Sequence, residues 1–363
     1  MRNTLTVIIP NRNRSMVTLK RSLDSINSQL TDATQVVIVD YGSDLSYQSE
    51  LQKLTDSFSR VDLILCPTQG QLWSKSRCIN MVLTSCTTTH LMVGDMDMIW
   101  HPEFLKTQLS TFPAAASVYY TVGIMTQEES ALEKTFLDYD IKFATGEEAT
   151  GISVFPAEQL KSINGFDEFF HGWGSEDTDV HMRLQHAGYN IHFYNKEVYF
   201  KHQWHAKSYR SKQSPLPFHP LLERINHRYF LWNQYFKKIK ANHNDQWGIL
   251  CNPEEYRQLE SPNMRMKLDA TREEIKAFTY FTEALDRSVI LELKVSPSPN
   301  ANSLKTRIKK VAGKKTAHFI SIEQANEMLL ESIIKSHRNC PYHYSFDREK
   351  AVIHLVIYLK RNL

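Results

Sequence analysis

Short blocks of aliphatic and β-branched residues recur along the N-terminal part of this chain, each followed by a stretch whose apolar positions fall three and four apart. Residues 5–9 (Leu-Thr-Val-Ile-Ile) read as a buried strand closed by Pro10, and Met16, Leu19, Leu23, Ile26 and Leu30 then keep helical spacing. Residues 36–39 form the next strand pattern, closed by Asp40-Tyr41-Gly42-Ser43. Strand, helix and strand at this spacing predict a βαβ unit, which the crossover rule makes parallel and right-handed. The alternation continues with a helix over 48–58, a strand over 61–66, a helix over 74–83 and a strand over 90–93 that ends in Asp95. The expected fold class is therefore α/β with a Rossmann-like, mostly parallel central sheet. Ligands bind such sheets at the carboxyl ends of the strands, where Asp40 and Asp95 both fall.

Further strands are expected between residues 114 and 199, with a helix over 176–187 whose Val180, Leu184 and Ala187 share a face and which Gly188 closes. The character then changes. Three prolines between 211 and 220 mark a connector, and 221–240 reads as a helix rich in aromatics (Tyr229, Phe230, Trp232, Tyr235, Phe236), expected to be core rather than a ligand site. A polar stretch runs to about Pro262. The remainder reads as a smaller C-terminal α/β unit: a strand over 289–295, a basic helix, a strand over 318–322, a helix over 323–337 and a strand over 351–359.

Composition narrows the function. A chain of 363 residues can bury two cores, and 43 Lys plus Arg against 40 Asp plus Glu leave a net charge of +3, too small to argue for nucleic acid as the main partner. An anionic ligand must then be held by local positive charge. The five cysteines are scattered without a C-x-x-C pair, which argues against a disulfide framework or a thiolate metal site and for a reducing compartment. The N-terminal apolar run is too short for a signal peptide, and no window approaches a transmembrane span. The expected setting is cytoplasmic, with contact limited to the periphery of the membrane's inner face. No pattern specifies an oligomeric state.

Three clusters carry candidate chemistry. Asp95-Met96-Asp97 follows a strand and Gly94, so two carboxylates emerge at a sheet edge. Hard cations such as Mn²⁺ or Mg²⁺ take oxygen ligands there and can neutralise a departing diphosphate. A solvated turn is the plain alternative for such a triplet taken alone. His202 and His205 follow a strand expected over 198–200, and imidazole joins carboxylate in a mixed coordination sphere. Gly172-Trp173-Gly174-Ser175-Glu176-Asp177 joins flexibility, an indole able to pack on a sugar ring, and acids at a helix start. One of Glu176, Asp177 and Asp179 could serve as a general base, while the helix dipole alone accounts for others. Pro10-Asn11-Arg12-Asn13-Arg14 ends the first strand, where guanidinium groups could meet phosphate or a uracil edge, and Lys75 and Arg77 could add charge nearby.

These segments resemble the GT-A fold glycosyltransferases, and within them the β1,4-galactosyltransferase and chondroitin-polymerase-like group of bacterial family 2 type. Residues 8–14 are similar to the group's first nucleotide-binding strand, 39–43 to its second, 93–99 to its D-x-D strand, and 164–179 to its G-W-G-x-E-D-x-D signature. The resemblance covers about residues 4–210, which it marks as a GT-A domain (1–210), followed by a helical connector (211–265) and a small α/β unit of unassigned role (266–363). It implies that Asp97 binds Mn²⁺ (or Mg²⁺) with His205, and with His202 as a further ligand position. Asp95 would help hold the nucleotide, with Pro10, Asn11, Arg12, Arg14, Asp40 and Arg77 on the same side. Asp177 would be the general base, Trp173 and Gly174 part of a closing loop, and Glu176 an acceptor-sugar contact. Asn11 departs from the aromatic residue usual in the galactosyltransferases.

The expected activity is inverting transfer of a hexose or N-acetylhexosamine, of galactose or GalNAc type, from a UDP-sugar to a hydroxyl of a glycan or glycolipid in polysaccharide biosynthesis. The rivals are a sugar nucleotidyltransferase, which gives no reason for the Trp173 loop, and a non-catalytic glycan-binding module. A basic run, Lys305, Arg307, Lys309, Lys310, Lys314 and Lys315, could touch anionic lipid or a charged glycan, with a solvated helix face as the plain reading.

Overall fold

In the computed structural model, which describes residues 3–206, 217–243 and 246–360, the aliphatic blocks pair as strands, and those at Leu5–Asn11 and His90–Val93 are buried on both faces. The order is β1 (Leu5–Asn11), α1 (Met16–Asn27), β2 (Thr34–Tyr41), α2 (Leu45–Thr55), β3 (Val61–Cys66), α3 (Lys75–Ser85) and β4 (His90–Val93). It continues with β5 (Met98–Trp100), α4 (Phe104–Gln108), β6 (Ala116–Tyr120), β7 (Val122–Ile124), α5 (Gln127–Ser130), β8 (Phe143–Ala144), β9 (Ser153–Pro156) and α6 (Ala157–Ser162). Then come α7 (Glu176–His186), β10 (Asn190–Tyr194), β11 (Phe200–His202) and α8 (Leu222–Tyr235). These elements make one compact unit, Met1–Cys66, Trp73–Lys207 and Leu222–Leu250.

Its main sheet has seven strands in the order β10-β6-β9-β4-β1-β2-β3, all parallel to their neighbours except β9, which runs antiparallel to β4 and β6. The sheet is mostly parallel, as its apolar blocks require. The register sets Asn11 beside Asp40 and Ile8 beside Val93, so the carboxyl ends of β1, β2 and β4 come out together. Helix α1 covers the sheet with Leu19, Leu23 and Ile26, none of them exposed. Burying each such side chain favours folding by about 1.5–3 kcal/mol.

A second sheet, β5-β11-β7-β8, determines where the histidines lie. Strand β11 runs antiparallel to β5 with His202 opposite Met98, and the Gln203 N–H donates to the Asp97 carbonyl at 2.9 Å. The strand expected over 198–200 sits two residues later, so His202 belongs to the strand itself.

The helix α8 overturns one expectation. Trp232, Tyr235 and Phe236 are 61%, 75% and 71% exposed, whereas Asn226 and Asn233 are buried. The helix is held by polar groups rather than by its rings. Asn226 Nδ2 donates to the carbonyls of His171 and Trp173, and Asn233 Nδ2 donates to Asp179 Oδ1 at 2.8 Å. Of its aromatics, Tyr229 does pack, stacking on Phe169 with centroids 3.8 Å apart.

The second unit comprises Pro67–Leu72, Ser208–Leu221 and Cys251–Leu363, so the stretch 211–265 divides between the two units. Residues 211–216 of the expected connector lie outside the described residues. The unit contains α9 (Pro253–Arg257), β12 (Met264–Asp269), α10 (Arg272–Glu283), β13 (Val289–Ser296), α11 (Leu304–Val311), α12 (Ile322–Ser332), β14 (Tyr342–Asp347) and β15 (Val352–Leu359). The sheet order is β12-β13-β15-β14. The strand expected over 318–322 is absent, and Phe319 makes only a single bridge to Thr271. Strands β12 and β14 and helix α10 were not expected. Among the described residues no helix is long and apolar enough to cross a membrane.

Candidate active site

Asp97 sits in the turn between β4 and β5, only 2% exposed. Gly94 opens this turn because a Cβ there would lie 3.3 Å from the Trp100 ring. His205 Nε2 lies 3.2 Å from Asp97 Oδ2, His202 Nε2 lies 3.6 Å from Oδ1, and an Arg14 guanidinium nitrogen lies 3.4 Å from Oδ2. Burial opposes the charge on Asp97, but the hydrogen bond from His205 and the neighbouring His202 and Arg14 hold its carboxyl below the usual range.

One carboxylate and two imidazoles thus offer ligand atoms within 4.8 Å of one another. Asp97 Oδ1 is buried and accepts no hydrogen bond, which is costly for a carboxylate oxygen unless a cation completes it. Donors bound at right angles about 2.1 Å from one ion stand about 3 Å apart, close to the spacing seen. The mixed oxygen and nitrogen set fits a divalent cation such as Mn²⁺.

A second cluster forms where α7 begins. The loop before it turns through left-handed backbone at Gly172 (φ +74°), Gly174 (φ +102°) and Ser175 (φ +74°). The last is a non-glycine residue, strained by about 1–2 kcal/mol. The Gly172 N–H donates to the Trp73 carbonyl at 2.7 Å, and Asn226 fastens the flanking carbonyls, while the Trp173 side chain is half exposed. From this helix start Asp177 Oδ2 meets Lys75 Nζ at 3.1 Å, and the same ammonium lies 3.3 Å from Asp95 Oδ1. Lys75 therefore joins the acid at the end of β4 to the acid at the start of α7. Gly151 lines the same space, since a Cβ there would sit 3.6 Å from Asp177 Oδ2 and 3.7 Å from Asp95 Oδ2.

The electrostatics of this cluster favour a base that works near neutrality. Burial pushes the Asp177 carboxyl up to about 7, Lys75 opposes that rise, and the neighbouring Glu176 and Asp95 add to it. Burial likewise raises Glu176. Lys75 keeps its proton: burial works against its charge, but Asp177, Asp95 and Glu176 together outweigh that.

The remaining acids of the signature hold the scaffold. Asp179 pairs with the fully buried Arg183 at 2.6 Å, and Arg183 also donates to the carbonyls of Ile163 and Gly165. Asp167 accepts from Lys238 Nζ and the Tyr229 hydroxyl, and Glu168 accepts from Asn80 and the Gly248 N–H. These bonds fix the chain on both sides of the Trp173 loop.

The residues expected to meet a nucleotide gather at the carboxyl ends of β1 and β2, several of them below the surface. Asp40 is fully buried and accepts from Asn11 Nδ2 at 2.7 Å, Ser43 Oγ at 2.5 Å and Gln48 Nε2 at 2.8 Å. Burial raises its pKa. Arg77 is 4% exposed and donates to the Tyr41 hydroxyl at 3.3 Å. Asn11, Asp40 and Arg77 shape the loops here, Pro10 pairs within the sheet beside Val39, and Arg14 reaches the Asp97 cluster. Lys75 was expected only to add charge near Arg77; its bridging position, 102 residues from Asp177, was not anticipated, nor was the closeness of Gly151, a lone glycine.

Two family models match the chain. Glycosyl transferase family 2 matches residues 6–155, and a model described as the N-terminal domain of galactosyltransferase matches residues 131–206. Human beta-1,4-galactosyltransferase 6 is 49% identical over 74 residues, 20% of this chain and 18% of that protein. Human chondroitin sulfate synthase 3 is 24% identical over 189 residues, 46% of this chain and 20% of that protein. The chain thus spans about a fifth of the length of these relatives. Among solved structures, GalNAc-T7 with UDP, GalNAc and Mn2+ aligns with a TM-score of 0.47 at 12% identity, over 64% of this chain and 49% of that one.

Proposed function

We propose that this chain, whose residues 6–206 form a GT-A glycosyltransferase domain of the family 2 and galactosyltransferase group, is an inverting, metal-dependent enzyme that moves a hexose or N-acetylhexosamine from a UDP-sugar to a glycan or glycolipid hydroxyl. The observation that carries the reading is the pairing of two sites on one scaffold. The Asp97, His202 and His205 donor set and the Asp177–Lys75–Asp95 cluster both arise from the segments around the ends of β4, β11 and α7. Galactose or GalNAc is the favoured sugar, because the 49% identity is to a galactosyltransferase.

Asp97 and His205, with His202, would hold Mn²⁺ (or Mg²⁺). A bound cation supplies the positive charge that stabilises a departing diphosphate. Arg14 and Arg12 add guanidinium groups on that side, and Asp95, steadied by Lys75, faces the nucleotide. Asp177 accepts the proton of the acceptor hydroxyl on a carboxylate oxygen as that hydroxyl attacks the anomeric carbon from the face opposite UDP. A carboxyl near 7 is well matched to this role, since a base works best with a pKa close to the operating pH. The half-exposed Trp173 indole packs on a sugar face, Gly174 gives the loop its turn, and Glu176 contacts the acceptor sugar. The scattered cysteines, with no C-x-x-C pair among them, suit a cytoplasmic setting.

The test is UDP release from a panel of UDP-sugars, with Mn²⁺ and with chelator, on the native chain and on Asp97→Ala. The expected result is metal-dependent release from one or two donors, lost in the variant. Pyrophosphate formation from UTP and a sugar phosphate would replace the reading with nucleotidyl transfer. Absence of both release and calorimetric UDP–Mn²⁺ binding would overturn it.

A further inference from the structure

Helix α11 is built inside out. Its residues Leu304, Ile308 and Val311 fall within an arc of about 60° on a helix of 3.6 residues per turn, and they are 74%, 58% and 91% exposed. A surface helix normally turns its apolar stripe toward the core. Here the buried residue is Thr306, close to the opposite side, so the aliphatic stripe points straight into solvent. The helix is nonetheless properly started, with Ser303 Oγ accepting from the Thr306 N–H at 3.2 Å.

Charge surrounds this stripe on every side. Lys305 and Arg307 flank it, Lys309 and Lys310 follow on the shoulders, and Lys314 and Lys315 lie just beyond the helix end. Between Glu292 and Glu323 the chain has no acidic residue at all. Lys310 Nζ sits 6.0 Å from the centre of the Phe319 ring, so one cation is already directed along the protein surface. A helix face that served only for solubility would need the lysines and not the three aliphatics. A polyanion such as RNA would be met by the cations but would leave the apolar stripe without a partner.

We propose that α11 docks this unit on an anionic phospholipid surface, with Leu304, Ile308 and Val311 entering the boundary between headgroups and acyl chains while the flanking lysines and arginine lie among lipid phosphates. Both halves of the pattern then have a partner, because an interfacial helix binds through buried apolar area together with attraction to anionic lipid. Helix α11 belongs to the second unit and shares no residue with the proposed transfer site, so the inference is tested independently of the activity.

Sedimentation of the full chain with vesicles tests it. The native protein is expected to pellet with vesicles of phosphatidylcholine mixed with phosphatidylglycerol and to stay in solution with phosphatidylcholine alone. Ile308→Ser with Val311→Ser should weaken that binding at least tenfold, as should Lys305→Glu with Lys309→Glu. Both pairs alter exposed side chains, so melting temperature should be unchanged. In a third variant, Leu304→Trp, the indole fluorescence should shift to the blue on anionic vesicles and be quenched by brominated acyl chains. No pelleting of the native chain overturns the inference. So does pelleting that the serine pair does not weaken and that RNA or polyphosphate competes away, which would make the helix a general polyanion contact.

Discussion

Replacing Lys75 with methionine, Lys75→Met, keeps the length and much of the volume of the side chain and removes a cation that touches both Asp177 and Asp95. Taking a positive charge from beside a carboxylate disfavours the ionised form, so the Asp177 pKa must rise from its value of about 7. At a separation of 3.1 Å, Coulomb's law gives about 5 kcal/mol at an effective dielectric of about 20 and about 1.3 kcal/mol in a water-like medium. The Asp177 and Lys75 side chains are 20% and 13% exposed, so water screens part of the pair and the lower figure is the safe floor. That floor corresponds to about one pKa unit. A base at about 7 is half ionised at neutral pH, and one at about 8 is about a tenth ionised, so kcat/KM at pH 7 should drop about fivefold.

The assay is initial UDP release at low donor and saturating Mn²⁺, followed from about pH 5.5 to about pH 9. The acid limb of the native profile should fall near 7, and in Lys75→Met the same limb should move up by at least about one unit while the high-pH plateau largely recovers. Lys75→Arg keeps the charge and should leave the limb near its native position. A Lys75→Met profile that superimposes on the native one would refute the reasoning, because either Asp177 would not be the titrating base or Lys75 would not stand beside it in the working enzyme.

Two further outcomes are expected. Asp177→Asn should abolish transfer while calorimetry still detects UDP and Mn²⁺ binding, since the asparagine keeps the shape of the side chain and loses only its basicity; transfer within tenfold of native would remove Asp177 from the role. Arg183→Met should destabilise the fold by about 3–5 kcal/mol in urea, because it leaves Asp179 buried without its partner. A loss under about 1 kcal/mol would show that Asp179 is neutral in the native protein.

Legibility in the sequence followed the way each element is held. Strands β1 and β2 and helix α1 were visible because their burial is continuous or strictly periodic, and Leu5, Val7, Ile9, Leu19 and Leu23 have no exposed surface. Strand β14 alternates buried Tyr342, Tyr344 and Phe346 with exposed His343, Ser345 and Asp347, a period of two that was present and passed over. Of the second sheet of the first unit only β11 was legible, two residues out of place, since β8 has two residues and β5, β7 and β11 have three each, too few for any periodicity. Helix α8 misled for the opposite reason. Its aromatics suggested a core face, but Asn226 and Asn233 make the buried contacts, and hydrogen bonds leave no hydrophobic period to read.

The site shows the same division at the level of single side chains. Glu176, Asp177 and Asp179 lie within four positions of one another, and composition gives each an equal claim to be the base. A helix advances about 100° per residue, so Asp177 and Asp179 point about 160° apart and must face different surroundings. One direction meets Lys75 from α3 beside Asp95 from the end of β4, and the other meets Arg183 and Asn233 in the interior. The difference between a reactive carboxylate and a structural one is therefore made by residues far away in sequence. An acid with no exposed surface, enclosed by a guanidinium and an amide, cannot be reached by a sugar hydroxyl, whereas one that shares a single ammonium, keeps part of its surface exposed and lines a glycine-walled space can. In the proposed mechanism it is the physical separation of the acids, rather than their shared motif, that distinguishes Asp177 from Asp179.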